Sequence, residues 1–200
     1  MEIRSMSSRT IRATILAIAG VVTQTAYCEH LVSTAIAAND MPAMIVLVRH
    51  GETAQGPGNE PVLTAAGHER AKELAVALRN VKFSAIITTQ LIRTHETAQP
   101  LGSAQGLTRT VVHYEPSKSG DYVNAAKLEI RKHVGGAVLV VGHQRSIPPL
   151  IAAYGGPQLP IICENRFGNM FVLTPTDNGT AYLVHSHYGA LSPPPAADCM

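Results

Sequence analysis

The ten residues Met44-Ile45-Val46-Leu47-Val48-Arg49-His50-Gly51-Glu52-Thr53 carry the strongest structural signal in the chain. The first five form a short, uninterrupted apolar run rich in Ile and Val, the pattern of a buried strand. Gly51 lets the chain turn sharply where it leaves that strand. Arg49 and His50 then stand side by side at the carboxyl end of a central strand, where open α/β sheets build their ligand sites. A fixed cation beside a potential nucleophile suits attack on a phosphoryl group, provided that other strand ends supply further anion-binding side chains.

Outward from this stretch, strand-like and helix-like segments alternate from residue 43 onward, which predicts an α/β domain with a mostly parallel sheet. Ala43–Val48 is the first expected strand. Thr64 is placed to cap a helix reaching about Arg79, with Ala71, Leu74, Ala75 and Leu78 on one face. Phe83–Thr88 reads as the second strand, and Leu91–Ala104 as a helix bent or broken at Pro100. Thr110–Tyr114 is a third strand, after which Asp121 can cap a helix from Tyr122 to His133. Ala137–Val141, almost uniformly apolar, is a fourth strand and a central one. A short helix from Ser146 to Tyr154 carries Pro148 in its first turn. Asn169–Leu173 and Ala181–His185 complete the strands, and residues 191–200 form a Pro-rich tail, loose or pinned.

Three of these strand ends bear phosphate-compatible groups. Arg49 and His50 follow the first strand, Arg93 lies a turn into the helix after the second, and Gly142-His143 follows the fourth. In a parallel sheet all four side chains converge on one edge. That convergence matters because an isolated Arg or His means little.

In this order, four segments resemble the histidine phosphatase superfamily, which includes phosphoglycerate mutases and phosphohistidine phosphatases. They are Leu47–Thr53, Leu63-Thr64-Ala65-Ala66-Gly67, Arg93-Thr94-His95-Glu96-Thr97-Ala98 and Val140-Val141-Gly142-His143. Gly189 after Tyr188 and the Asn169-Met170-Phe171 strand resemble a small exported branch of that family. The resemblance implies a three-layer α/β/α sandwich of phosphoglycerate mutase-like fold over residues 41–190. It also implies a metal-independent, cofactor-free enzyme acting on a small phosphorylated substrate. His50 would take the phosphoryl group as a phosphohistidine that water then hydrolyses. Arg49 and Arg93 would grip the non-bridging oxygens, and His143 would contact them from the opposite side.

The implied proton donor is a glutamate just past the third strand. Glu115 occupies that place, although the surroundings typical of such an acid are absent and a solvated loop carboxylate is the competing reading. Glu52 is expected to orient neighbours by hydrogen bonding. Thr53 and Gln144 are candidate pocket contacts. Arg145 either adds positive charge at the mouth, favouring a doubly anionic substrate, or simply faces solvent. His185 and His187 share a strand face, which suits a metal, but no further ligand follows at zinc-like spacing and a half-exposed face is preferred.

Composition bounds the alternatives. A net charge of +2, 4% aromatic residues and no tryptophan argue against a nucleic-acid partner. Arg4, Arg9 and Arg12 precede the apolar run 13–22, and Ala35-Ile36-Ala37 offers a small-x-small cleavage site. Residues 1–37 thus have the layout of a signal peptide, with an apolar run too short to span a bilayer. The mature chain is expected to be periplasmic or secreted and without a membrane span; the alternative is a cytoplasmic protein with an N-terminal extension. After cleavage Cys163 and Cys199 remain, either paired or as two free thiols. Phosphomonoester hydrolysis leads the functional readings, ahead of a phosphoglycerate mutase-type phosphotransferase and a non-catalytic phospho-ligand binding protein.

Overall fold

The computed structural model describes residues 41–54 and 60–200, so the expected signal peptide at residues 1–37 lies outside the described residues. Strands β1 (Met44–Arg49), β2 (Phe83–Thr88), β3 (Arg109–Val111) and β4 (Ala137–Gly142) run parallel. β5 (Asn169–Pro175) runs antiparallel to β1, and β6 (Ala181–His187) pairs antiparallel with β5 to complete the sheet. The strand order is β3-β2-β4-β1-β5-β6. The all-apolar β4 therefore sits between β2 and β1, covered on both faces as its sequence demands.

Helices α1 (Ala65–Ala77), α2 (Ile92–Gln105), α3 (Ser119–Arg131) and α4 (Ile147–Ala153) supply the outer layers. Alternation along β1 sorts them. Ile45 and Leu47 pack with Tyr122, Ala126 and Ile130 of α3 and with Leu150 and Ile151 of α4. Val46 and Val48 point the other way, against Leu74 of α1 and Ala98 and Leu101 of α2. The result is a three-layer α/β/α sandwich with a core on each face of the sheet.

Register determines what meets at the carboxyl edge. Arg49 is paired with Gly142, and both Val48 and Thr88 are paired with Val141. The next residues, His50, His143 and Thr89, therefore leave the sheet at nearly the same height. One further backbone bond, His50 N–H to the Gly142 carbonyl at 3.0 Å, holds the two histidine-bearing turns together.

The Leu63–Gly67 segment now has a physical explanation. Thr64 caps α1 by accepting from the Gly67 N–H at 3.1 Å, while its own N–H bonds the Glu52 carbonyl at 2.9 Å. The start of α1 is thereby docked on the turn that leaves β1. A Cβ at Gly67 would collide with the Glu52 carbonyl oxygen, and one at Gly51 would lie 2.9 Å from the Gly67 oxygen. Both glycines are required by close backbone approach rather than by an unusual dihedral.

Two expected elements differ. α2 is one continuous helix with Pro100 inside it. Proline removes a single helical bond, whereas Ala98 and Leu101 on either side are buried in the core, so packing carries the helix through. α3 begins at Ser119, directly after a short 3₁₀ turn at Pro116–Lys118, and Asp121 lies in its first turn instead of capping it. The Pro-rich tail is pinned. A Cys163–Cys199 disulfide ties it to the body, and Arg166 donates to the Pro193 carbonyl at 2.9 Å. Among the described residues no helix is long and apolar enough to cross a membrane.

Candidate active site

His50 is buried where β1 ends, and its Nδ1 lies 2.8 Å from the carbonyl oxygen of Gly51. Only a protonated Nδ1 makes that a hydrogen bond, which leaves Nε2 with its lone pair free. Burial, followed by the charge of Arg49, pushes the His50 pKa down to about 3, so the ring is neutral at physiological pH. The turn itself is braced by the Gly51 N–H donating to Thr97 Oγ1 at 2.9 Å, a contact that ties α2 to β1.

Arg49 leaves the same strand end with its guanidinium 4.1 Å from the centre of the Phe167 ring. Its Nη1 donates to the carbonyl oxygens of Cys163 at 2.9 Å and Glu164 at 2.7 Å, with a longer contact to Arg166 at 3.4 Å. The buried Nε has no acceptor among the described residues. Burial is the main reason that the Arg49 pKa falls to about 10, which still leaves a full positive charge at neutral pH.

His143 follows β4. Its ring stacks on Tyr114 with centroids 4.5 Å apart, and its Nε2 lies 3.0 Å from Thr89 Oγ1. Ser146 Oγ accepts from the His143 N–H at 2.9 Å and closes the turn. A Cβ at Gly142 would come 2.7 Å from that oxygen, so glycine there makes room for the brace. Burial, then the neighbouring His50 and both arginines, lowers the His143 pKa to about 2. The two imidazoles are 5.3 Å apart, edge to face.

Arg93 joins them from the first turn of α2, and its guanidinium has no acceptor within hydrogen-bond distance among the described residues. One cavity of about 400 Å³ is lined by Arg49, His50, Arg93 and His143, with Thr53, Gln144 and Arg145 at its rim. Two guanidinium groups and two neutral imidazoles therefore share one opening. Such a set binds a tetrahedral oxyanion through charge-assisted hydrogen bonds and offers it a nucleophile.

Residues 45–116 match the family model described as histidine phosphatase superfamily, branch 1. Among solved structures, the fold is similar to that of the protein histidine phosphatase SixA, with a TM-score of 0.58 at 16% identity, covering 72% of this chain and 96% of that one. Over residues 45–116 the chain thus resembles the histidine phosphatase superfamily. A putative α-ribazole-5′-P phosphatase from Escherichia coli is also similar, with a TM-score of 0.56 at 20% identity over 73% of this chain and 96% of its own. A mycobacterial glucosyl-3-phosphoglycerate phosphatase matches with a TM-score of 0.56 at 16% identity over 74% and 99%. At these identities the likeness is one of fold. A curated relative, the 2,3-bisphosphoglycerate-dependent phosphoglycerate mutase of Methanosarcina mazei, is 36% identical over 91 residues, 42% of this chain. The chain spans only 36% of that mutase's length.

Glu115 is the sequence-derived candidate that the fold does not bring to the cavity. Its carboxylate sits in solvent, 3.0 Å from Lys118 Nζ and 2.9 Å from Ser117 Oγ. β3 ends at Val111, and at the exit it is Tyr114 and Pro116, the neighbours of Glu115, that line the cavity. Arg145 satisfies both of its readings, being exposed and at the rim. Glu52 orients neighbours as expected. Arg70, only 4% exposed, grips it through Nε at 2.9 Å to each carboxylate oxygen and through Nη2 at 2.7 Å. Burial opposes ionisation of Glu52, but the Arg70 hydrogen bonds outweigh it and hold the carboxyl below its usual range.

His185 bonds Asn169 at 2.9 Å and stacks on Phe171, while His187 lies 3.0 Å from Arg166 Nη2. Both are structural contacts. Tyr114, Thr89, Glu164 and Phe167 are site residues that sequence reading did not single out. Thr89 and Tyr114 stood beside strand ends already under scrutiny. Glu164 and Phe167 lie in a stretch without periodicity and gave no signal.

Proposed function

We propose that the chain is a metal-independent phosphomonoester hydrolase that works through a phosphohistidine on His50. The observation that carries this reading is the shared cavity, in which a neutral His50 with its Nδ1 committed to Gly51 stands beside Arg49, Arg93 and His143. The His50 Nε2 lone pair attacks phosphorus as the ester P–O bond breaks, and the departing oxygen takes a proton from solvent water, which the water attacking in the second step later returns. The new N–P bond leaves the ring cationic, and the Nδ1–H bond to Gly51 stabilises that charge. Arg49 and Arg93 neutralise the equatorial oxygens, and the unpaired Nε of Arg49 gains the acceptor that it lacks. Water then attacks phosphorus, the N–P bond breaks, and phosphate leaves with His50 neutral again.

Hydrolysis of an aryl phosphate tests this reading. His50→Ala is expected to abolish turnover while leaving the melting temperature near that of the parent. Undiminished turnover would sink the mechanism. Binding of vanadate without any turnover would support the phospho-ligand binder instead.

The match to the M. mazei mutase favours one second reading, phosphoryl transfer between phosphoglycerates. Interconversion of 2- and 3-phosphoglycerate faster than phosphate release would establish it. We also propose export to the periplasm or cell exterior, supported by the Cys163–Cys199 disulfide, which belongs in an oxidising compartment. N-terminal sequencing of secreted protein should find a start near Ala38, and an intact Met1 on cytosolic material would refute it.

A further inference from the structure

Loop 161–168 contains one turn and no helix or strand, yet it provides every protein acceptor that the Arg49 guanidinium has among the described residues. A backbone carbonyl is a dipole and carries no net charge. Carbonyl contacts therefore orient Arg49 without a carboxylate bond of the kind that ties Arg70 to Glu52; the charges of Glu164 and Glu52 act on Arg49 only through space. The loop also crosses to the other side of the cavity, where the Ile162 N–H bonds the Gln144 carbonyl at 3.2 Å.

Much of what keeps this loop in place comes from the tail. The Cys163 N–H donates to the Met200 carbonyl at 2.8 Å, and the Met200 N–H donates to the Ile161 carbonyl at 3.0 Å. Arg166 reaches Pro193, and the Ala196 N–H faces Cys163 Sγ at 3.4 Å. The Cys163–Cys199 disulfide is the covalent member of this set, and it joins the residue whose carbonyl holds Arg49 to the tail. A second cavity of about 520 Å³, lined by Arg49, Phe167, Ala196 and Cys199 among others, lies along the same seam. A short, Pro-rich tail held only by a few partly exposed hydrogen bonds frays, and a cross-link suppresses that fraying.

We propose that the Cys163–Cys199 clasp is a positioning device for Arg49, holding the carbonyls of Cys163 and Glu164 so that the guanidinium is set for a phosphoryl group. The proposal deepens the function proposed above and rests on it. Reduction of the disulfide frees the tail, loosens the loop and lets the guanidinium swing from its set orientation. The strands and helices stay in place, because neither cysteine lies in one, and the first core loses only the packing of Met200 at its edge.

The test is a cycle between reduction and Arg49→Ala on the full chain, read by calorimetric binding of inorganic phosphate and by aryl phosphate turnover. Thiol counting establishes the redox state, and near-UV circular dichroism establishes that the core persists. Reduction is expected to weaken phosphate binding about tenfold in the parent and less than twofold in Arg49→Ala, because a device acting through Arg49 has nothing left to act on. Cys163→Ser with Cys199→Ser should reproduce the reduced state without reductant. Equal losses in both backgrounds, or none in either, would overturn the clasp. Turnover that persists unchanged on reduction sinks the clasp and leaves the hydrolase. Redox-sensitive phosphate binding without turnover does the reverse. An oxidised chain that binds no phosphate defeats both.

Discussion

The Nδ1 of His50 and the carbonyl oxygen of Gly51 are 2.8 Å apart, so the proposed nucleophile is oriented by the residue that follows it. No side chain is needed to choose the tautomer; the turn after β1 does so. The imidazole is then held neutral by burial and by Arg49. An NMR titration of the free protein should show no protonation of His50 between pH 5 and 8. A midpoint near 6.5 would mean that the ring is solvated and the pocket is not formed as described.

The same shifts make stability depend on pH. Folded His50 and His143 titrate at about 3 and about 2, below the value near 6.5 of an unfolded histidine. Between those limits the unfolded chain binds more protons, so stability present above pH 6.5 is lost as the pH falls, by at most about 1.4 kcal/mol per pH unit for each site. Thermal melts should fall from pH 7 to pH 5, and His143→Ala should flatten that slope. An unchanged slope would assign the loss to other groups.

Arg93 and Arg70 separate function from stability. Among the described residues Arg93 has no protein acceptor to lose, so Arg93→Ala should lower kcat/KM about a hundredfold, roughly the 2.7 kcal/mol of charge-assisted bonds to one phosphoryl group, with little change in melting temperature. Arg70 is buried and doubly bonded to Glu52. Its replacement by alanine should cost about 3 kcal/mol of stability, since it leaves a carboxylate without its partner. The opposite pattern, a stable Arg70→Ala and a destabilised Arg93→Ala, would reverse these assignments.

Gly67→Ala forces a methyl group against the Glu52 carbonyl. About 2 kcal/mol of destabilisation is expected from that overpacking, together with reduced turnover as the β1 exit shifts. Parent-like melting and activity would show that the α1 start can slide away without consequence.

Glu115 points into solvent and pairs with Lys118. Glu115→Gln should therefore leave hydrolysis of both alkyl and aryl phosphates at parental rates. A selective loss on the alkyl substrate, whose poor leaving group needs a proton, would restore it as the acid.

The parallel sheet and the four cavity residues were legible because each rests on a local signal: an apolar run, a glycine turn, and a basic side chain directly after it. β4 could be placed centrally from Ala137–Val141 alone, since only a strand covered on both faces tolerates such a run. Pro100 does not break α2, one of the two outcomes expected there, because propensity is local whereas the burial of Ala98 and Leu101 is a tertiary effect. Glu115 stands apart from the cavity because the exit of β3 turns Tyr114 and Pro116, not the residue between them, toward it. The acceptors of Arg49 were invisible for a different reason. They are main-chain carbonyls more than a hundred residues away, and a carbonyl leaves no mark on the sequence.

The position of β4 between β1 and β2 also has a consequence in time. Synthesis proceeds from the amino end, so His50 is made well before the strand that must lie beside it. At about 5–20 residues per second, several seconds pass before Gly142 arrives to accept its N–H. β1 and β2 have no native pairing with each other in the meantime, because β4 lies between them in the finished sheet. The proposed nucleophile is thus among the first parts of the sheet to be translated and among the last to be enclosed.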